Sequence, residues 1–272
     1  MLKQKRYIVD TTLRDGEQSP GFAFSPYQKV QIAQLLDSLG VVQIEAGIPA
    51  LGKCEKESIY KMMQLKKSCR ISAWNRMSLG DINHSIECCP DIIHICVPVS
   101  YIQIYSKLRK NKVWLINQLK ECVSFAMEKG FAVSVGFEDA SRADITFMRS
   151  LLEILAQMGV RQVRYADTVG VLTPKKSAEA IKDLTVPVDL DIEIHVHNDL
   201  GMAVANSLEA AKAGAKYIDC TFWGIGERSG NCNIEQFIFT ASHIFELGIE
   251  KYHFKEVSDE LARIIGYTAK RW

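Results

Sequence analysis

Two histidines separated by one residue stand in the segment EIHVHND, residues 193–199. Side chains alternate across a β-strand, so His195 and His197 would point to the same face and could hold one metal ion. A pair of hydrogen-bonded histidines in a polar core is the alternative interpretation. An acidic third ligand favours the metal site, and Asp15 in DTTLRDGEQSPG, residues 10–21, is the candidate. We therefore predict a His₂Asp site with coordination positions left open for substrate.

Two charged residues flank these candidate ligands in the sequence. Arg14 directly precedes Asp15, and a fixed guanidinium beside a bound cation would stabilise an oxyanion as it forms. A surface arginine paired with Asp10 or Glu17 is the alternative. Glu193 falls on the same strand face as the histidines and is predicted to orient a ligand or to contact the substrate.

Polar residues recur along the whole chain, each time just after a short apolar run. In a parallel barrel the ends of such runs lie together at one rim, where active sites are built. Besides the residues above, the rim candidates are Glu45, Asn75, Arg76, Glu138, Asp139, Asp167, Thr168, Asn198, Asp199, Glu227, Arg228 and Asn231.

Eight apolar or β-branched runs are the predicted strands that position these residues. Amphipathic stretches separate them, and eight strand–helix units in this length predict a closed TIM (β/α)8 barrel with its active site at the C-terminal ends of the strands. An open doubly wound sheet is disfavoured because no GxGxxG follows the first run. The runs are residues 7–10, 41–46, 69–74, 92–97, 132–137, 161–167, 191–197 and 217–222.

The clearest helix signal is SPYQKVQIAQLLDSLG at residues 25–40. Ser25 and Gln28 have the spacing of a capping box, Pro26 suits the first helical position, and Gly40 suits the end. The segments 173–184 and 201–215 are predicted to be amphipathic helices of the same kind.

Composition bounds the class of protein. The chain has 272 residues, and its 33 basic and 32 acidic side chains give a net charge of +1, which offers no footprint for nucleic acid or an anionic membrane. No apolar stretch is long enough for a membrane span, and no signal peptide is apparent, so we expect a cytoplasmic protein.

Without a linker-like tract, residues 1–272 are predicted to form one catalytic domain. The eight cysteines lack CxxC spacing and are expected to be reduced and mostly buried.

Several segments together resemble a known family. DTTLRDGEQ, EAGIPALG, SVGFEDASRAD, ADTVG, IHVHNDLGMAVAN and GIGERSGN are similar to signature blocks of the metal-dependent acyltransferase barrels that include 2-isopropylmalate, citramalate and homocitrate synthases. The resemblance extends over residues 7–245 and is greatest to homocitrate synthases associated with nitrogen fixation.

The resemblance implies roles for individual residues. Asp15, His195 and His197 would hold one divalent cation (Mg, Mn, Zn, Fe or Co), and Asn231 could add a ligand. Arg14 would polarise the keto oxygen of a 2-oxo acid, and Glu138 would move protons. The implied substrate contacts are Gln18 and Thr168. Glu45 and Glu193 are further predicted contacts because of their places on the predicted strands.

The implied reaction is a Claisen condensation of acetyl-CoA with a 2-oxo acid, for which 2-oxoglutarate is expected. Its distal carboxylate needs a cation, and Arg76 is the candidate. Lysine-pathway homocitrate synthases carry Arg-x-Ser on the fifth strand, where this sequence has Ser134 and Gly136. 2-Isopropylmalate or citramalate synthesis, a metal-dependent acyl-CoA lyase or aldolase, and a non-catalytic barrel subunit remain alternatives.

The family resemblance also raises an expectation about partners. Relatives continue past the barrel into a subdomain whose histidine and tyrosine reach a neighbouring active site, and this sequence ends at IIGYTAKRW. We expect the family's C-terminal extension to be absent, through a split enzyme or a truncated chain. A homo-oligomer or a partner chain carrying that segment is therefore expected, with slow or no turnover by the chain alone.

Overall fold

Eight parallel strands close into a barrel in a computed structural model of the chain, which describes residues 3–184, 189–249 and 251–266. This confirms the predicted fold. The strands of the described residues, β1 to β10 in chain order, are Gln4–Lys5, Tyr7–Asp10, Gln43–Gly47, Arg70–Arg76, Ile92–Pro98, Ala132–Glu138, Gln162–Asp167, Asp191–Val196, Tyr217–Cys220 and Phe245–Glu246. The barrel consists of β2 to β9, paired in sequence order and closed by pairing of β2 with β9.

Helices follow the barrel strands and form the outer layer. Those of the described residues, α1 to α9, are Pro26–Leu39, Lys53–Leu65, Leu79–Ile86, Lys112–Glu128, Ile145–Gln157, Pro174–Leu184, Ala203–Ala213, Ile234–Ala241 and Lys251–Ile265. None of them is long and apolar enough to cross a membrane.

The predicted start and end of α1 are confirmed. The Ser25 hydroxyl accepts a hydrogen bond from the Gln28 backbone N–H, and the Gln28 side chain accepts one from the Ser25 N–H. Pro26 occupies the first turn, and Gly40 ends the helix in the left-handed region with φ of +94°. Signals within the local sequence therefore mark both ends of α1.

Strand alternation separates two kinds of core. On β8, Ile192, Ile194 and Val196 pack against the helices, whereas Glu193 and His195 face the barrel interior. The interior carries fully buried charges in the place of the branched aliphatic layers common in such barrels. Buried interior charges need partners, and the ones found here are described with the site.

A small parallel pair, β1 with β10, lies outside the barrel and was not predicted. Helix α9 packs over the loop that follows β9, where the ring of Phe254 stacks on Phe222 at a centroid distance of 5.0 Å. The eight cysteines are free thiols, and six of them are buried, as expected. A single domain over residues 1–272 stays a prediction because residues 267–272 lie outside the described part.

Candidate metal centre and active site

The predicted metal ligands come together at the barrel mouth. Among the described residues, one ligand atom each from Asp15, His195 and His197 lies within 4.8 Å of the other two, and all three side chains are buried. The two Nε2 atoms are 3.3 Å apart, and Asp15 Oδ2 lies 3.3 Å from that of His195 and 3.8 Å from that of His197. Two imidazoles and a carboxylate converging on one point are a donor set that suits a divalent cation.

The protonation state of Asp15 fits the same interpretation. Burial would raise the pKa of Asp15, but the Arg14 guanidinium and His195 outweigh it and hold that pKa well below its usual range. The carboxylate is therefore ionised and available as a ligand. Its Oδ2 atom is buried and accepts no hydrogen bond from the described residues, so it is an orphaned acceptor that a cation would satisfy.

Asp219, at the third position of β9, contacts the far side of His195 and was missed by the sequence analysis. His195 Nδ1 lies 3.0 Å from Asp219 Oδ2, and the Thr11 hydroxyl donates a 2.7 Å hydrogen bond to Asp219 Oδ1. An aspartate inside the apolar run YIDC is the signal that could have found it. Glu193 was predicted to orient a ligand or to contact the substrate, but its carboxylate accepts hydrogen bonds from Arg164 and Gln162 deeper in the barrel, and Asp219 is the carboxylate beside His195. A substrate contact of Glu193 stays a prediction.

Asp219→Asn should weaken cation binding by about 10- to 100-fold, because partners behind a ligating histidine set its orientation and basicity. Calorimetric titration with Mn²⁺ measures the change. Asp191→Asn is the matched control, since Asp191 pairs with Lys216 at the opposite end of the barrel. An unchanged affinity in the Asp219 variant would show that it does not support the metal ligand.

Arg14 lies beside the ligand cluster and not on the surface. Its Nε donates a 2.5 Å hydrogen bond to Glu45 Oε1, and Nη1 lies 3.4 Å from Asp15 Oδ1. Burial lowers the pKa of Arg14, but Glu45 and Asp15 outweigh it and raise the pKa above its usual value. The alternative of a surface pair with Asp10 or Glu17 is wrong. The Asp10 carboxylate accepts a hydrogen bond from Thr12, and the Glu17 carboxylate pairs with Lys29.

Glu138, at the end of β6, lies across the cleft from the metal ligands. The Thr168 hydroxyl donates a 3.1 Å hydrogen bond to Glu138 Oε2 and accepts one of 2.8 Å from the Asp139 N–H. Thr168 thus fixes the carboxylate that the sequence analysis assigned to proton transfer. Its role as a direct substrate contact stays a prediction.

The glycine-rich segment 224–231 folds against the rim, where Asn231 forms a β-bridge with His197 and Arg228 donates a hydrogen bond to Asp199. The Asn231 amide donates to the Ile225 carbonyl, while its Oδ1 atom is buried without a partner among the described residues. Gly226 permits this, since a Cβ there would lie 2.0 Å from Asn231 Nδ2. Asn231 could therefore offer Oδ1 to a cation, which stays a prediction.

Two connected cavities open at the barrel mouth. The inner cleft, about 200 Å³, is lined by Arg14, Asp15, Gln18, Trp74, Glu138, Arg164, Thr168, His195, His197 and Glu227. The outer cavity, about 480 Å³, shares Trp74, Glu138, Thr168 and Glu227 with it and adds Arg76, Met77, Cys96, Pro98, Gln103, Lys107, Leu108 and Trp114. The inner cleft is the place for a small acid, and the outer one suits a longer molecule.

The structure separates Arg76 from the metal cluster. Its side chain is 70% exposed, and its Nε and Nη2 atoms bind the two carboxylate oxygens of Asp81 at 2.7 and 2.9 Å. It lines the outer cavity and is not among the described residues that line the inner cleft. Glu45 likewise does not face the cleft; it is fully buried and bridges Arg14 and Arg164.

Fold and site together define a metal-dependent (β/α)8 barrel enzyme scaffold. The HMGL-like family profile matches residues 5–259, and the chain belongs to this family. It is 52% identical over 252 residues to homocitrate synthase subunit alpha of Clostridium pasteurianum, covering 93% of each chain. It is 43% identical to 2-isopropylmalate synthase 2 of Caldanaerobacter subterraneus, covering 96% of this chain and 68% of that one.

Solved structures agree with the fold. The HMG-CoA lyase of Bacillus subtilis superposes with a TM-score of 0.86 over 100% of this chain and 97% of the other, at 16% sequence identity. At that identity the likeness establishes the barrel architecture alone.

Proposed function

We propose that the chain is the catalytic barrel of an acyltransferase that condenses acetyl-CoA with 2-oxoglutarate to form homocitrate. The observation that carries the proposal is the convergence of Asp15, His195 and His197 with Arg14 in one cleft. The 52% identity to a homocitrate synthase subunit of nearly the same length supports the choice of substrate.

The residues divide the chemistry among them. A divalent cation held by Asp15, His195 and His197 would supply Lewis acidity toward the carbonyl of the 2-oxo acid. Arg14, fixed by Glu45, places a permanent positive charge where the keto oxygen becomes an alkoxide. Glu138 is positioned by Thr168 to accept a methyl proton from the acetyl thioester. The enolate then attacks C2 of the oxo acid, and hydrolysis of the thioester releases the CoA thiol.

The outer cavity provides a place for the CoA chain. Trp74 and Trp114 give it apolar walls, and Lys107 and Arg76 place positive charge in it. Because it shares Glu138 with the inner cleft, a thioester lying there would present its methyl group to that carboxylate. This arrangement joins the two substrates at the residue that must act on one of them.

We also infer that a partner polypeptide completes the enzyme. Apart from the ligands His195 and His197, the described residues lining the two cavities include no histidine that could act as a general acid or base. The C. pasteurianum relative is named a subunit alpha, and the present chain matches 93% of its length. A histidine acting as general acid or base, in addition to Glu138, would then come from a second chain or from a second copy of this one.

A substrate panel tests the proposed function. We expect acetyl-CoA and 2-oxoglutarate to release free thiol at least about tenfold faster than acetyl-CoA with pyruvate or 2-oxoisovalerate, because a charged contact that only one substrate makes is worth that much or more. The assay uses the cation-loaded chain with and without a polypeptide spanning the longer relatives' C-terminal extension. Faster release with 2-oxoisovalerate or pyruvate would instead identify 2-isopropylmalate or citramalate synthesis.

A further inference from the structure

Arg164, at the third position of β7, stands at the floor of the inner cleft. Its side chain is 1% exposed, yet it contributes to the cleft wall beside Arg14 and the metal ligands. We propose that Arg164 binds the distal carboxylate of the 2-oxo acid and so determines specificity for a dicarboxylic substrate. This inference rests on the proposed function, which supplies the substrate class.

The contacts of Arg164 hold its guanidinium rigidly and leave one nitrogen over. Nε donates a 2.6 Å hydrogen bond to Glu193 Oε1, and Nη2 donates one of 2.7 Å to Glu45 Oε2. Nη2 also lies 3.4 Å from Asp219 Oδ2. Nη1 takes part in none of these three contacts. An arginine that is fixed through Nε and Nη2 and contributes to the cleft wall is positioned to bind a carboxylate.

Arg164 is also separated from Arg14 and from the metal ligand His195 by one bridging carboxylate each. Glu45 bridges it to Arg14, through Oε2 on one side and Oε1 on the other, and Asp219 bridges it to His195. One carboxylate thus separates Arg164 from the keto-oxygen clamp and from a metal ligand. A dicarboxylic oxo acid can place its keto end at Arg14 and its far end at Arg164, whereas a monocarboxylic one leaves Arg164 unused.

No other cation in the described lining of the inner cleft is available for this role. Arg14 is committed to the keto oxygen, and Arg76 lines the outer cavity with its guanidinium on Asp81. The neighbour of Arg164 on β6 is Gly136, which has no side chain. The room next to Gly136 holds the buried ring of His94, whose Nε2 atom has no partner among the described residues.

Binding of two oxo acids to the Mn²⁺-loaded protein tests the inference without requiring turnover. Arg164→Lys keeps the charge and loses the planar fork; Arg164→Met with Glu193→Gln removes the arginine together with the charge of one buried partner. Calorimetry with 2-oxoglutarate and with 2-oxobutyrate gives two dissociation constants for each protein. Thermal unfolding confirms that each variant is folded, and Arg70→Met is the matched control, because Arg70 is a partly buried arginine at the opposite end of the barrel.

We expect both Arg164 variants to bind 2-oxoglutarate at least about tenfold more weakly than the parent, with 2-oxobutyrate affinity within about twofold. Arg70→Met should change neither constant. Equal loss for both acids, or a retained preference for 2-oxoglutarate, would overturn the inference while leaving the proposed function intact. A parent protein without preference for 2-oxoglutarate would overturn the proposed substrate, and the role of Arg164 with it.

Discussion

His195→Ala will abolish retention of a divalent cation and the thermal stabilisation that the cation gives. Cation binding stabilises the folded state by an amount that grows with its concentration over the dissociation constant, about 2.7 kcal/mol at a hundredfold excess. Removing one of only two imidazole ligands from the cluster leaves a site with too few donors. Elemental analysis after dialysis and unfolding curves with and without Mn²⁺ measure both effects.

His94→Ala is a useful control for the His195 variant, because His94 is also a fully buried histidine of the barrel interior. Its ring nitrogen Nδ1 bonds to Ser134, so this change removes packing without touching the cluster. The control should lose some intrinsic stability and keep its cation. Unchanged cation stoichiometry in His195→Ala would contradict the assigned ligand set.

Arg14→Gln should lower kcat for condensation by about 10²- to 10³-fold, since it removes a donor aimed at the developing oxyanion. The cation should remain bound, because Arg14 contacts Asp15 without being a ligand itself. The measurement is thiol release from acetyl-CoA with 2-oxoglutarate by the chain in complex with its partner polypeptide.

Arg14→Lys separates geometry from charge in the same experiment. Lysine keeps the positive charge that Glu45 requires but cannot hold the fork in place, so it should recover only part of the rate. Full activity in Arg14→Gln with the cation still bound would exclude the oxyanion role. Loss of the cation in that variant would instead assign Arg14 to shaping the metal site.

The sequence was sufficient to predict the barrel and the clustering of Asp15, His195 and His197 at its rim. Each of the eight predicted strands overlaps one observed barrel strand, because hydrophobic periodicity and caps such as Ser25 and Gly40 are local signals. His195 and His197 were recognisable for the same reason: strand alternation alone places them on one face. Asp15 needed the additional assumption that the first and seventh predicted strands deliver residues to one rim.

The buried charge network could not be predicted in the same way. Arg164 and Glu45 are 119 residues apart, and their contact depends on the size and stagger of the closed barrel. The contact of His195 with Asp219 in place of Glu193 also depends on the barrel geometry, since both carboxylates face the interior but at different depths. The pairing of Arg76 with Asp81, five residues later, was not predicted either, and it occupies two nitrogens of the guanidinium that was expected to bind the distal carboxylate.

The most direct test of the central claim is the fate of labelled acetyl-CoA. The cation-loaded chain with its partner polypeptide is incubated with 2-oxoglutarate and acetyl-CoA carrying ¹³C in the acetyl group, and the products are identified by mass spectrometry. The account predicts homocitrate with the label in one carboxymethyl arm, formed together with free CoA and lost on chelation of the cation. Labelled acetate with unchanged 2-oxoglutarate, or the label in a different acid, would contradict it.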